Sequence, residues 1–428
     1  MNKDDKLEKI LSAIDENEVI KLALDMGNTY SPHGEEGAAA DYVYKWMKEN
    51  NFQPAKQEVV KDRYNVVGKL RGSGGGSSLV FNGHLDTSQG LPEDIWVVGE
   101  MKPIYTTAWR DGNVLMGNGI ANDKGPVACF LAAASAIQRS EVKLKGDLIL
   151  IAAMGEIDGA YIDEFQGPRF VGNGIGTQFA LNNGAIGDYA LVAETTQYSI
   201  TWAECGDVLF KITTFGKGGI YSPYLERPYK SLAENPNAVV KMTKVVELVE
   251  KWANEYQEKN KYKFGGGTII PTVNIGAIRG GFPVRATQTP GICSIYINVW
   301  LPPGKNPMEV KRDLTSLFSD VGFPVDIEPY MFRAGHEGKG VEPLVKAAQD
   351  AHLRLFNSKP KEIPAPVTSM WRDVNIFNGH GIPAITFGPP RAPYNVGPPD
   401  SMTIEDLVNG AKLYAMIAYD ICNRQPSS

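Results

Sequence analysis

Four short runs of the chain are apolar without the alternation of a half-exposed strand: SLVFNGHLDT (78–87), GDLILIAAMGE (146–156), YALVAET (189–195) and GIPAITFG (381–388). Runs of this length and continuity read as strands buried on both faces, the environment of a parallel sheet covered by helices. Between the first two, KGPVACFLAAASAIQ (124–138) has Pro126 where a helix would begin and apolar residues at helical spacing. GSGGGSS (72–78) is a loop between strands. The alternation predicts an α/β layer architecture, a mostly parallel sheet flanked by helices. In such sheets functional residues gather just beyond the carboxyl ends of the strands. His84, Glu156 and Glu194 each stand at such an end.

From about residue 205 the pattern changes. DVLFKITTFGK alternates in part, a long helical stretch follows (237–259), then TVNIGAI, CSIYINVWL and the helical PMEVKRDLTSLFSDV. Strand, helix, strand, strand, helix predicts a smaller α+β domain inserted into the larger one. The expected boundaries are 1–204 and 326–428 for the two parts of the larger domain, and 205–325 for the insert. The 428 residues give ample material for such a core. A net charge of −6 argues against nucleic acid or an anionic membrane as the main partner. The charged, amphipathic start MNKDDKLEKILSAIDENEV lacks the apolar centre of a signal peptide, and no run approaches a membrane span. A cytoplasmic protein is expected. The four cysteines, Cys129, Cys205, Cys293 and Cys422, have no paired spacing and read as reduced core residues.

A divalent metal needs anionic or imidazole ligands held rigidly, and a catalytic ion leaves a position open for water. His84, Glu194 and one further group could supply such a site. Asp86, two residues beyond His84, is spaced to hydrogen-bond the far imidazole nitrogen and fix its tautomer. The plain structural alternative is a buried, hydrogen-bonded histidine with two glutamates capping strand ends.

GHLDTS, GNGIANDKGPVA, MGEIDG, LVAETT, FGKGG, TVNIGAIRGG and GIPAITFGPP…PPDSMTIEDL occur in an order that resembles the aminoacylase, acetylornithine deacetylase, carnosinase and carboxypeptidase G family of metallohydrolases. The resemblance covers nearly the whole chain. It implies a zinc-peptidase-like two-metal catalytic domain interrupted by a smaller lid domain that also dimerises. Carried over by position, His84 matches the first metal ligand and Asp86 its supporting aspartate. Asn122 falls where the family has an aspartate bridging two metals, with Asp123 as the alternative ligand. Glu156 matches the general base, Ile157 the ligand that follows it, and Glu194 the carboxylate ligand of the other metal. Three expected groups are absent: YNVGPPDSM has no histidine before its Pro-Asp pair, Ile220 replaces the lid histidine, and Trp300 replaces a lid arginine.

The losses fall on one metal and spare the other. The resemblance therefore implies one divalent ion per chain, Mn²⁺ or Zn²⁺, held by His84, Asn122 and Glu194, with Glu156 and Asp86 as the catalytic pair. The expected reaction is hydrolysis of a C–N bond in a small molecule that bears a carboxylate. It is either an amide or the amine of an activated aromatic carboxylate, as in the nitroanthranilate aminohydrolase of the wider family. Arg285 and Arg372 are candidates to hold the substrate carboxylate, with ordinary salt bridging as the alternative for both. Asp158 reads as a late carboxylate or a surface cap. YIDEFQG reads as a solvated face, and His33, His336, His352 and His380 as structural or exposed. Two other readings stay open: a catalytically silent ligand-binding relative, and a conventional two-metal aminoacylase or dipeptidase. A homodimer through the lid is expected.

Overall fold

The computed structural model describes residues 2–157, 159–392 and 400–426. The chain divides into a larger unit, Met1–Ala203 with Glu337–Ile363 and Arg372–Ser428, and a smaller one, Glu204–His336 with Pro364–Trp371.

In the larger unit the main sheet has six strands: β1 (Ala55–Val60), β2 (Arg63–Leu70), β3 (Leu79–His84), β6 (Leu148–Ala153), β7 (Tyr189–Ala193) and β14 (Ala384–Phe387). Their order is β1-β2-β6-β3-β7-β14. β6, β3, β7 and β14 are parallel, and β2 joins them antiparallel. The four unbroken apolar runs are therefore the four parallel strands. Both faces are buried, which is why they do not alternate. Phe81, Leu148, Leu150 and Leu191 belong to one core cluster with the helices Gly125–Arg139 and Ile404–Cys422. Val80, Ile149, Ile151 and Val192 belong to another with Leu181 and Phe377. The Phe81 ring lies 5.9 Å from Phe130 and 5.6 Å from Tyr414. A small antiparallel sheet places β5 (Val114–Gly117) between β4 (Ala108–Asp111) and β15 (Ser401–Thr403).

The smaller unit is a four-stranded antiparallel sheet in the order β11-β12-β8-β13, from β8 (Gly206–Phe215), β11 (Val273–Gly280), β12 (Ile292–Leu301) and β13 (Val325–Arg333). A hairpin of β9 (Tyr262–Phe264) and β10 (Gly267–Ile269) accompanies it. The helices Ala238–Lys259 and Pro307–Leu317 share a core with the sheet through Val245, Val249, Val310 and Leu314.

The inserted unit runs beyond the expected end at 325. β13 pairs with β8 from Val325 to Arg333, so its backbone hydrogen bonds belong to the insert. Arg333 then grips Asp207 at 2.8 and 3.0 Å and lies 4.4 Å from the Trp371 ring centroid. This brings the 364–371 segment into the same unit. All four cysteines are free and buried, as their spacing suggested.

Candidate metal centre

β6, β3 and β7 are neighbours, so their carboxyl ends open at one place. His84 is the last residue of β3, Glu156 lies three residues beyond β6, and Glu194 follows β7 directly. The chain after β6 turns through Gly155 at φ +63°, a conformation that favours glycine. Gly83 is also required, because a Cβ there would stand 2.7 Å from both Asp123 Oδ2 and Val127. That closeness lets the Asp123 carboxylate accept from the His84 amide at 3.1 Å.

His84, Glu156 and Glu194 each offer a ligand atom within 4.8 Å of the others, and all three are buried. His84 Nδ1 is 2.9 Å from the backbone carbonyl of Asp86, an acceptor only, so Nδ1 carries the hydrogen. The lone pair is then on Nε2, which is 3.5 Å from Glu194 Oε1 and 3.8 Å from Glu156 Oε2. This buried nitrogen has no hydrogen-bond partner among the described residues. An orphaned imidazole nitrogen facing two buried carboxylates fits a divalent cation by chemistry and by charge.

Asp86 does more than its spacing suggested. Its carboxylate is 3.4 Å from His84 Nδ1, farther than its own carbonyl. It accepts from the amides of Glu156 at 3.2 Å and Ile157 at 2.9 Å, and so holds the turn that carries Glu156. His33 Nδ1 stands 3.5 Å from its other side. His33, Glu36 and Asp86 form a second group of possible ligands, but Arg63 binds both oxygens of Glu36, at 2.6 and 2.5 Å. His352 Nδ1 meets the Ser358 carbonyl, His380 is exposed, and His336 lies in the smaller unit.

The two glutamates are pushed apart electrostatically. Burial alone would raise Glu194, but His84 and Arg372 outweigh it and hold its carboxyl below the ordinary range. Arg372 Nε is 3.3 Å from Glu194 Oε2. Glu156 is raised well above its ordinary value by burial and by Asp373, Glu194 and Asp86, against His84. Burial pushes Asp373 up to about 7, although Thr177 donates to it at 2.5 Å. Without an ion, burial opposes the charge on His84, but Asp86, Glu194 and Glu156 outweigh it and raise the imidazole well above its usual value; a cation at Nε2 would take the place of that proton.

Asn122 and Asp123 separate. Asn122, extended at φ −148° and ψ 89° inside the turn Ile120–Lys124, lines a cavity of about 490 Å³. Asp123 turns beneath β3 and is not among the three clustered ligands. Arg372 is buried against Glu194, which corresponds to the salt-bridge alternative. Arg285 is exposed in the turn Pro283–Arg285 of the smaller unit. Ile220 and Trp300 are half-buried in that unit too, Trp300 opposite Asp207 on β8. Asp158 and the stretch 393–399, where the histidine before the Pro-Asp pair was sought, lie outside the described residues. Two further buried carboxylates were not among the expected site residues: Asp373, next to Arg372 in SMWRD, and Asp400, whose carboxylate accepts from the amides of Gly119 and Ala121 at 2.6 and 2.8 Å. Asp400 sits in the Pro-Asp pair, so a signal for it existed; Asp373 had none beyond its charge.

A parallel α/β sheet with histidine and two carboxylates converging at adjacent strand ends defines a metal-dependent hydrolase. Residues 80–420 match the family "Peptidase family M20/M25/M40", and the chain belongs to it. It is 23% identical over 434 residues to N-formyl-4-amino-5-aminomethyl-2-methylpyrimidine deformylase of Bacillus subtilis (strain 168), covering 90% of this chain and 89% of that one. A tripeptidase from Staphylococcus aureus superposes with a TM-score of 0.69 at 17% identity, over 96% of this chain and 100% of the other. The Bacillus subtilis YXEP protein, a dinuclear metal-binding peptidase of the M20 family, gives 0.59 at 13% identity, over 94% and 97%. These likenesses to solved structures concern the fold.

Proposed function

We propose that this hydrolase cleaves a C–N bond of a small, carboxylate-bearing molecule with one divalent ion, Mn²⁺ or Zn²⁺, held by His84 and Glu194 and completed by Asn122. The observation that carries the reading is the buried Nε2 of His84, without a hydrogen-bond partner among the described residues and facing Glu194 and Glu156, next to Ile157, which cannot ligate a second ion. When bound, the ion polarises the scissile group and lowers the pKa of water from about 16 towards about 7. Glu156 takes the proton of the attacking water as its oxygen bonds to carbon. It passes that proton to the departing nitrogen as the C–N bond breaks. Asp86 keeps His84 in the tautomer that presents Nε2 and holds the Glu156 turn.

An amide is favoured over an aromatic amine as the bond cleaved, because the relative just named is a deformylase and acts on an N-formyl group. A homodimer through the smaller unit fits its edge strand β11, exposed along most of its length. No helix among the described residues is long and apolar enough to cross a membrane, and a cytoplasmic location is part of the proposal. The test is elemental analysis of the purified protein beside a screen of N-formyl and N-acyl amines, dipeptides and aromatic amines. One ion per chain with metal-dependent turnover supports the reading. Two tightly bound ions, or none, overturn it.

A further inference from the structure

Asn118 follows β5 directly, and its amide donates to the Ile104 carbonyl at 2.7 Å. The residue is 2% exposed, yet neither Nδ2 nor Oδ1 has a hydrogen-bond partner among the described residues. Buried amides are nearly always paired, so a doubly orphaned one is a candidate for a ligand's partner. Asn118 lines the cavity of about 490 Å³ already described, with Asn122 in the same lining. The other groups there are differently placed. The Asp400 carboxylate is taken up by the Gly119 and Ala121 amides, and the Thr87 hydroxyl by the Gln89 carbonyl. Ile104, Val98 and Tyr105 supply apolar and aromatic surface, while Lys102 and Arg391 supply positive charge.

A carboxamide presents a donor and an acceptor side by side in one plane. It pairs twice with an edge that carries the complementary pair, as asparagine does with adenine. We propose that this cavity receives a planar group of the substrate with an N–H donor beside an acceptor, a carboxamide or amino-heteroarene edge, and that Asn118 is the residue that selects it. The inference rests on the hydrolase reading, in which Asn122, a residue of the cavity lining, completes the ligands of the ion.

The probes are benzamide and acetophenone, nearly the same shape, of which only benzamide has the donor. Ligand-observed NMR titration of the wild-type chain should show benzamide bound roughly tenfold or more tighter. Asn118→Leu should erase that preference, and Asn118→Asp, which offers acceptors only, should weaken benzamide roughly tenfold to a hundredfold. Metal content should be unchanged in both variants. Equal binding of the two probes by the wild type overturns the proposal without recourse to any variant. So does a preference that survives in Asn118→Leu. If the chain holds no metal and hydrolyses nothing in the screen, yet prefers benzamide through Asn118, the subsite stands and the hydrolytic reading falls. Metal-dependent hydrolysis with no Asn118-dependent preference means the reverse.

Discussion

At the scale of single residues, the site gives opposite surroundings to the two carboxylates that the family resemblance separates by position. Glu194 is held ionised by His84 and Arg372, whereas Glu156 is raised by burial and by neighbouring negative charge. Glu156→Gln keeps the shape but cannot accept a proton. It should leave metal content intact while turnover falls by roughly 10² to 10⁴. Loss of metal in that variant, or full activity, would show that Glu156 is not the base. His84→Ala should remove metal and activity together, read by elemental analysis. Asp86→Asn turns an amide donor towards the Glu156 or Ile157 N–H. It should cost about 1–3 kcal/mol of stability and weaken metal binding roughly tenfold to a hundredfold. Unchanged melting and unchanged metal affinity would reject that assignment. Position in the chain suggested His84 and Asp86 as partners, but not that the shortest contact runs to a backbone carbonyl. Such a choice depends on how the chain folds back after β3.

At the scale of elements, sequence patterns carry further. The unbroken apolar runs are the parallel strands, and the helix read over 124–138 spans Gly125–Arg139. The stretch 237–259 forms the helix Ala238–Lys259, capped by the Asn237 side chain accepting from the Val239 and Val240 amides. β13 lies in the smaller unit through β8, a partner more than a hundred residues away, and no local pattern records that pairing. Gly83 couples β3 to the helix Gly125–Arg139. Gly83→Ala should cost about 1–3 kcal/mol by overpacking, since the new methyl meets Val127 and Asp123 at 2.7 Å; an unchanged melting temperature would reject this. The helix Lys3–Ser12 is tied to Ile404–Cys422 by Lys3 Nζ on Asp420 at 3.1 Å, and Arg424 Nε reaches the same carboxylate at 2.9 Å. Burial would raise the Asp420 carboxyl, but Arg424 and Lys3 hold it below its ordinary value. A lowered folded value means this stabilisation is present above the unfolded pKa, about 3.9, and is lost as pH falls through the folded one. Asp420→Asn should cost up to about 1 kcal/mol at pH 7, and the difference from wild type should vanish in strong acid. Acid unfolding curves separated by the same amount at every pH would contradict it.

At the scale of the whole molecule, the prediction concerns assembly. In the smaller unit Ile278 and Ile292 are each 59% exposed, Phe282 64% and Val284 81%, along or beside β11 and β12. An exposed edge strand with apolar side chains invites a partner, and a symmetric pair is the commonest outcome. Light scattering at micromolar concentration should give the mass of two chains, and Phe282→Glu with Ile278→Glu should give one; a wild-type monomer would refute the dimer. The sequence by itself determined the α/β class, the order of the blocks that place the chain in its family, and the positions of His84, Glu156 and Glu194 at strand ends. The class and the strand ends follow from unbroken apolar runs alternating with helical periodicity, and the family from the resemblance of the seven blocks. Tertiary structure alone decided that β6, β3 and β7 are neighbours, so that three residues spread over 110 positions of sequence come within 4.8 Å. It also decided that Asn122 lines the cavity while Asp123 accepts from the His84 amide, that Arg372 lies against Glu194, and that Asn118 is buried without a side-chain partner among the described residues. Each of these depends on which distant segment packs against the residue, and the order of strands in a sheet is set by the burial of the whole core, not by any stretch of chain taken alone.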